Sequence, residues 1–298
     1  MRNIQIRPIG GAIGAELHGV DLATDLPDET IATIRQALLD HLVIFFRDQD
    51  LPPARFLALA QRFGTPIEYP FVKGIEGFPE IINVTKLAHE KVNFGGVWHS
   101  DTTYLEQPPM ATLLIAREVP EAGGDTLFAN QYLAYETLSE TLRERLAGLR
   151  GVASSAKADA SRTREDRIRT DGSTDARKLL VAEHPVVRTH PETTRKALYV
   201  NRAHTTHIAG LTAEESAPLL DFLHRHQIRP EFTCRFRWTP GALAIWDNRC
   251  AQHYAVNDYG RADRQLQRVT VAGDVPVGPD GVLSRALAGD VAAYVPGS

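Results

Sequence analysis

His99 and Asp101 stand two residues apart, and a second histidine, His253, lies far along the chain with Arg264 eleven residues beyond it. Side chains alternate along an extended segment, so an H-x-D pair on a strand presents both groups to one side. Two imidazoles and a carboxylate on one face of an octahedron leave three positions open, the arrangement of a non-heme Fe(II) centre that uses O2. The same three groups also suit a mononuclear zinc site that activates water. Histidine occurs 11 times in the chain, so an H-x-D pair is expected by accident and the surrounding residues must decide. Arg264 is one of them. Its planar guanidinium matches a carboxylate and can hold an acidic co-substrate beside the metal.

Composition narrows the partners. The 298 residues are 43% hydrophobic and 23% charged, enough to bury a large core, and one domain is expected over 1–298. A net charge of −4 without a long basic tract gives no footprint for nucleic acid or an anionic membrane, which leaves a small molecule as the expected partner. With only Cys234 and Cys250, there is neither a disulfide framework nor a cysteine metal cluster. The N-terminus has no apolar run of signal-peptide length, and no segment approaches the roughly 20 apolar residues of a membrane span. A cytoplasmic protein is expected.

The elements that must position these residues are mostly short strands. Segments 4–9 and 15–20 predict a hairpin around glycines, 28–40 a helix with Ile31, Ile34 and Leu38 on one face, and 42–46 a buried strand. A second helix is expected from Pro52 and Pro53 to Phe63, stopped by Gly64 and Pro66. Strands are expected at 81–84, 111–118 and 125–130, one helix over 131–148, and a hairpin of 186–190 with 197–201. Thr212 and Glu215 form a capping-box signature for a helix to about His226, and strands return at 231–238, 242–246 and 265–273. Between Ser154 and Leu180, 12 of 27 residues are charged and none is aromatic, so that stretch is expected outside the core as a lid-like insertion. This pattern predicts a mainly β protein with flanking helices, a double-stranded β-helix or jelly roll.

Further residues complete the constellation: Trp98 before the pair, G-G-D-T at 123–126, the stretch W-D-N-R-C-A-Q-H-Y ending in His253-Tyr254, and Arg268 four residues after Arg264. With them the chain resembles the taurine and 2,4-dichlorophenoxyacetate dioxygenase family of Fe(II)- and 2-oxoglutarate-dependent enzymes, from about residue 4 to about residue 273. The resemblance implies that His99, Asp101 and His253 ligate Fe(II), that Thr126 and Arg264 hold the distal carboxylate of 2-oxoglutarate, and that O2 is consumed. Arg268 is assigned by the same resemblance to an anionic group of the main substrate. Trp98, Tyr69 and His204 are expected in the substrate wall.

Three departures bear on the substrate. Tyr69 stands where the taurine enzymes carry a histidine, Gly95 where they carry an asparagine, and His204 where they carry an aromatic wall residue. A longer or more apolar acid than taurine is therefore expected: an alkyl sulfate, a sulfonate or an aryloxyalkanoate. Hydroxylation at the carbon bearing the heteroatom would release sulfate, sulfite or phenol. The rival readings are a mononuclear zinc hydrolase and a non-catalytic jelly-roll binding protein. Relatives suggest a homo-oligomer, dimer or tetramer.

Overall fold

The computed structural model describes residues 4–87, 89–91, 93, 95–157 and 179–289. The lid-like insertion expected at 154–180 falls largely outside these described residues. An eight-stranded sheet forms the larger wall of a double-stranded β-helix, the jelly roll expected from the sequence. Its strands are β1 (Gln5–Pro8), β2 (Ala15–His18), β3 (Val43–Phe46), β4 (Pro66–Ile67), β5 (Ile82–Lys86), β6 (Ala111–Glu118), β14 (Leu243–Asp247) and β16 (Arg264–Val271). The order is β1-β2-β3-β14-β6-β16-β4, with β5 also pairing to β16. Facing it is a three-stranded sheet, β13-β7-β15, built from β7 (Thr126–Asn130), β13 (Thr233–Phe236) and β15 (Ala251–Ala255).

Period-two alternation explains why the larger sheet is buried on both faces. Ile44, Phe46, Leu113, Ile115, Ile245 and Val269 point to one side, where they pack with the apolar stripes of α1 (Asp28–His41) and α2 (Pro53–Gln61). The alternate residues Phe45, Leu114, Trp246 and Leu266 point to the other side and meet Phe128 and Phe236 of the small sheet. Phe45 stacks on Phe236 with centroids 3.9 Å apart, so the two sheets are locked face to face. Arg264 and Arg268 share the parity of Leu266, and Thr112 that of Leu114. The sheet therefore carries them to its inner face, between the two walls.

Several elements differ from the sequence reading. The helix expected over 131–148 is two helices, α3 (Gln131–Glu136) and α4 (Glu140–Leu146), because Ser139 caps a new start by accepting from the Leu142 N–H. A second group of strands, β8 (Arg150–Ser154), β9 (Val181–Pro185), β12 (Thr205–Ile208) and β17 (Arg285–Ala288), forms a sheet of its own that was not anticipated. The expected hairpin of 186–190 with 197–201 is present as β10 (Val187–Thr189) and β11 (Lys196–Leu198), and the capping box starts α5 (Ala213–His226) as foreseen. Among the described residues, no helix is long and apolar enough to cross a membrane.

Candidate active site

β15 places His253 in register with Phe128 on the inner face of the small sheet. The segment carrying His99 then adds to the free edge of β15: His99 N–H donates to the His253 carbonyl at 3.1 Å, and the His253 N–H donates back at 2.8 Å. Residues that exchange both bonds lie directly opposite each other, so their side chains share a face. The two imidazole centroids are accordingly 4.1 Å apart. The His99 Nδ1–H donates to the Val97 carbonyl at 2.7 Å, which leaves Nε2 with the lone pair a metal needs. His253 is held by packing, its ring 4.6 Å from Trp246 and 6.2 Å from Phe128.

Asp101 comes to this pair through a turn in which Thr102 adopts a φ of +43°, a costly conformation for a β-branched residue. Its Oδ1 lies 3.7 Å from His99 Nε2 and 4.0 Å from His253 Nε2. The Thr112 hydroxyl donates to Oδ2 at 2.7 Å, and Asn248 Nδ2 donates to the Thr112 oxygen at 2.8 Å. Asn248 Oδ1 in turn accepts from the Asp101 N–H at 3.2 Å and from Trp246 Nε1 at 2.9 Å. The carboxylate is thus anchored by one oxygen with the other turned to the imidazoles. Burial alone would raise its pKa, but Arg268 first, then His253, His99 and the Thr112 hydroxyl, hold it well below the usual carboxylate range.

One ligand atom from each of His99, Asp101 and His253 lies within 4.8 Å of the others, and all three residues are buried. A metal with bonds of about 2.1 Å spans neighbouring donors about 3 Å apart, so a slight contraction lets these atoms share one ion. Two neutral nitrogens and one carboxylate oxygen fit Fe(II) by donor type. A second buried cluster, His190, Asp247 and Cys250, does not fit a metal. His190 Nδ1 accepts two backbone N–H groups and Nε2 faces Asp247, whose two oxygens are taken by Arg249.

Arg264 is 4% exposed and has no carboxylate within ion-pair distance among the described residues. Its Nε donates to the Gly124 carbonyl at 3.1 Å, which fixes the plane of the guanidinium. Gly124 has a φ of +70°, and a Cβ there would stand 3.2 Å from Arg264 Nε, so the G-G pair permits this close approach. Thr126, two residues on, accepts from Trp238 Nε1 at 2.9 Å, so its own proton is directed elsewhere. A buried guanidinium with no ion-pair partner among the described residues, and a hydroxyl with a proton to give two residues along from the Gly124 carbonyl it holds, fit an incoming carboxylate.

Arg268 donates through Nη1 to Asp101 Oδ1 at 3.2 Å and lies over the Tyr69 ring at 4.5 Å. The Tyr69 and Tyr104 hydroxyls meet at 3.3 Å, and the Tyr104 ring packs on His204, whose ring is 5.9 Å from His99. Tyr69, His204 and Arg268 are therefore brought to the triad. Trp98 is not. Its indole packs on Tyr254 at 5.6 Å, and alternation sends both rings away from the neighbouring imidazoles. Thr112, Asn248 and Tyr104 were not anticipated; Asn248 lies inside the W-D-N-R-C-A-Q-H-Y stretch, which is the one signal that pointed to it.

The description "Taurine catabolism dioxygenase TauD, TfdA family" matches residues 5–270. An α-ketoglutarate-dependent sulfate ester dioxygenase of Pseudomonas putida is 39% identical over 289 residues, 95% of this chain and 94% of that protein. An alkylsulfatase of Acinetobacter baylyi is 35% identical over 290 residues, 95% of this chain and 90% of that one. The crystal structure of a taurine dioxygenase from Burkholderia xenovorans superposes with a TM-score of 0.83 at 41% identity, covering 97% of each chain. The chain belongs to the TauD, TfdA taurine catabolism dioxygenase family and is a 2-oxoglutarate-dependent dioxygenase that uses Fe(II) and O2.

Proposed function

We propose that this enzyme oxidises alkyl sulfate esters, or closely similar sulfonates, at the carbon next to the head group. One observation carries the reading: the strand that brings Arg268 against the buried His99–Asp101–His253 triad also carries Arg264, buried and without an ion-pair partner among the described residues, on the same face. His99, Asp101 and His253 hold Fe(II), and Thr126 with Arg264 grips the distal carboxylate of 2-oxoglutarate through charge-assisted hydrogen bonds. Bound Fe(II), 2-oxoglutarate and O2 supply the oxidising power that converts a substrate C–H to C–OH. Arg268 steadies the anionic head, and Tyr69 backs its guanidinium. For a sulfate ester the new hydroxyl loses its proton as a C=O bond forms, and the C–O bond to sulfur breaks with its electron pair leaving as sulfate. The names of the sulfate ester and alkylsulfatase relatives support this class over an aryloxyalkanoate.

Incubation with Fe(II), ascorbate, 2-oxoglutarate, O2 and hexyl sulfate should give succinate, sulfate and hexanal in equal amounts. Sulfate with hexanol and no succinate would instead mark the zinc hydrolase. Succinate unlinked to any sulfate, sulfonate or aryloxyalkanoate would remove the substrate assignment. The same reading takes residues 1–298 as one domain working in the cytoplasm as a homo-oligomer. The scarcity of cysteine supports the compartment, and light scattering on the purified protein tests the assembly.

A further inference from the structure

His204 borders the triad, 5% exposed, with its ring edge-on to His99 and to Tyr104. Its hydrogen bonds decide which nitrogen carries the proton. The His204 backbone N–H donates to Asn201 Oδ1 at 2.9 Å, and a backbone N–H can only donate, so the orientation of the Asn201 amide is settled. Asn201 Nδ2 is then the group that donates to the Thr103 hydroxyl oxygen at 2.9 Å. Thr103 is 2% exposed, and among the described residues the one acceptor for its own proton is His204 Nδ1, at 2.9 Å. Nδ1 accepts, so the proton of the neutral ring sits on Nε2. Nε2 has no hydrogen-bond partner among the described residues.

A continuous wall links this N–H to Arg268: the guanidinium over Tyr69, the Tyr69 hydroxyl on Tyr104, and the Tyr104 ring on His204. Resting on the substrate reading above, we propose that His204 is a specificity-determining residue whose Nε2–H donates a hydrogen bond to the substrate's head group. A sulfate or sulfonate head has three terminal oxygens. Two can engage a guanidinium fork while the third takes an uncharged donor. A carboxylate bound bidentately by Arg268 has spent both of its oxygens. His204 therefore favours tetrahedral heads over planar ones, and the Asn201–Thr103 relay is what points its proton.

The test has two independent readouts. In kinetics, His204→Phe should raise KM for hexyl sulfate roughly 10- to 100-fold, the cost of a lost hydrogen bond to a charged group, while KM for hexyloxyacetate changes less than about threefold. His204→Gln, which restores an N–H donor, should recover part of the loss. In spectroscopy, the Zn(II)-loaded protein labelled with 15N-histidine should show His204 as the Nε2–H tautomer, hexyl sulfate should shift that proton, and Thr103→Val should introduce the Nδ1–H form. Equal KM changes for both substrates, or an Nδ1–H tautomer in the unmodified protein, would overturn the proposal. If the unmodified enzyme releases no succinate with hexyl sulfate while the Nε2–H signal still responds to it, the reaction is wrong and the donor assignment stands.

Discussion

Asp101 is where the charges of the site balance. Two imidazoles, a guanidinium and a threonine hydroxyl converge on one carboxylate, and Thr112 with Asn248 decides which of its oxygens faces the imidazoles. Partners of this kind set ligand geometry, and their loss costs metal affinity by roughly 10- to 100-fold. Thr112→Val should weaken Mn(II) binding by that factor, read by electron paramagnetic resonance of the free ion; unchanged affinity would mean the brace is unnecessary. Arg264→Ala should raise KM for 2-oxoglutarate at least roughly tenfold, because it removes charge-assisted bonds of about 1.5–3 kcal/mol each. A KM within a factor of two of the original would detach Arg264 from the co-substrate. The candidate ligands were legible because the G-G-D-T segment and the two arginines after His253 frame an H-x-D pair that alone would decide nothing. Thr112 and Asn248 were not, since they reach Asp101 across 11 and 147 positions and hydroxyls and amides are common.

Elements matter here through the way they brace the turn after Asp101. From β9, His184 Nε2 donates to the Thr103 carbonyl at 2.7 Å, and its Nδ1 lies 2.7 Å from the Ser284 hydroxyl, so one imidazole ties the turn to two distant segments. Burial pushes its pKa from 6.5 to about 3, with Arg188 and Arg150 adding to the effect. In the unfolded chain this histidine takes up a proton below about pH 6.5, whereas the folded protein refuses it until about pH 3. Its contribution is therefore complete above pH 6.5 and lost progressively as the pH falls towards 3, on the order of 5 kcal/mol in all. Urea unfolding from pH 7 to pH 4.5 should show stability falling, and His184→Gln should flatten that slope by about one proton. Identical slopes would show that the ring is not held neutral. The long strands and helices of the jelly roll followed from alternation and helical spacing because their burial is periodic. β9 did not, since V-A-E-H-P mixes charge with small residues and its polar groups are satisfied only by other segments. β15 was missed for a related reason: A-Q-H-Y-A has no β-branched residue, and its pairing with β7 is what makes it a strand.

At the scale of the whole molecule, folding has to deliver three candidate ligands that the unfolded chain scatters. The small sheet supplies His253, an added edge segment supplies His99, and a strained turn supplies Asp101. A site assembled only by the native fold binds metal only when folded, so metal must stabilise the protein by mass action. At a free Mn(II) concentration about 100 times its dissociation constant the gain is about 2.7 kcal/mol, which for a protein of this size corresponds to an upward shift in Tm of roughly 5 °C. Asp101→Ala lowers the starting Tm as well, because it strands Arg268 beside the triad without its carboxylate partner. The informative quantity is therefore the metal-dependent increment in each protein, not the absolute Tm. That increment should vanish in Asp101→Ala and persist in Trp98→Ala, whose indole lies on the other face of the same segment. An equal increment in Asp101→Ala and the unmodified chain would place the metal elsewhere. Loss of it in Trp98→Ala would mean that the edge segment, rather than the three ligands alone, must be rigid for the ion to be held.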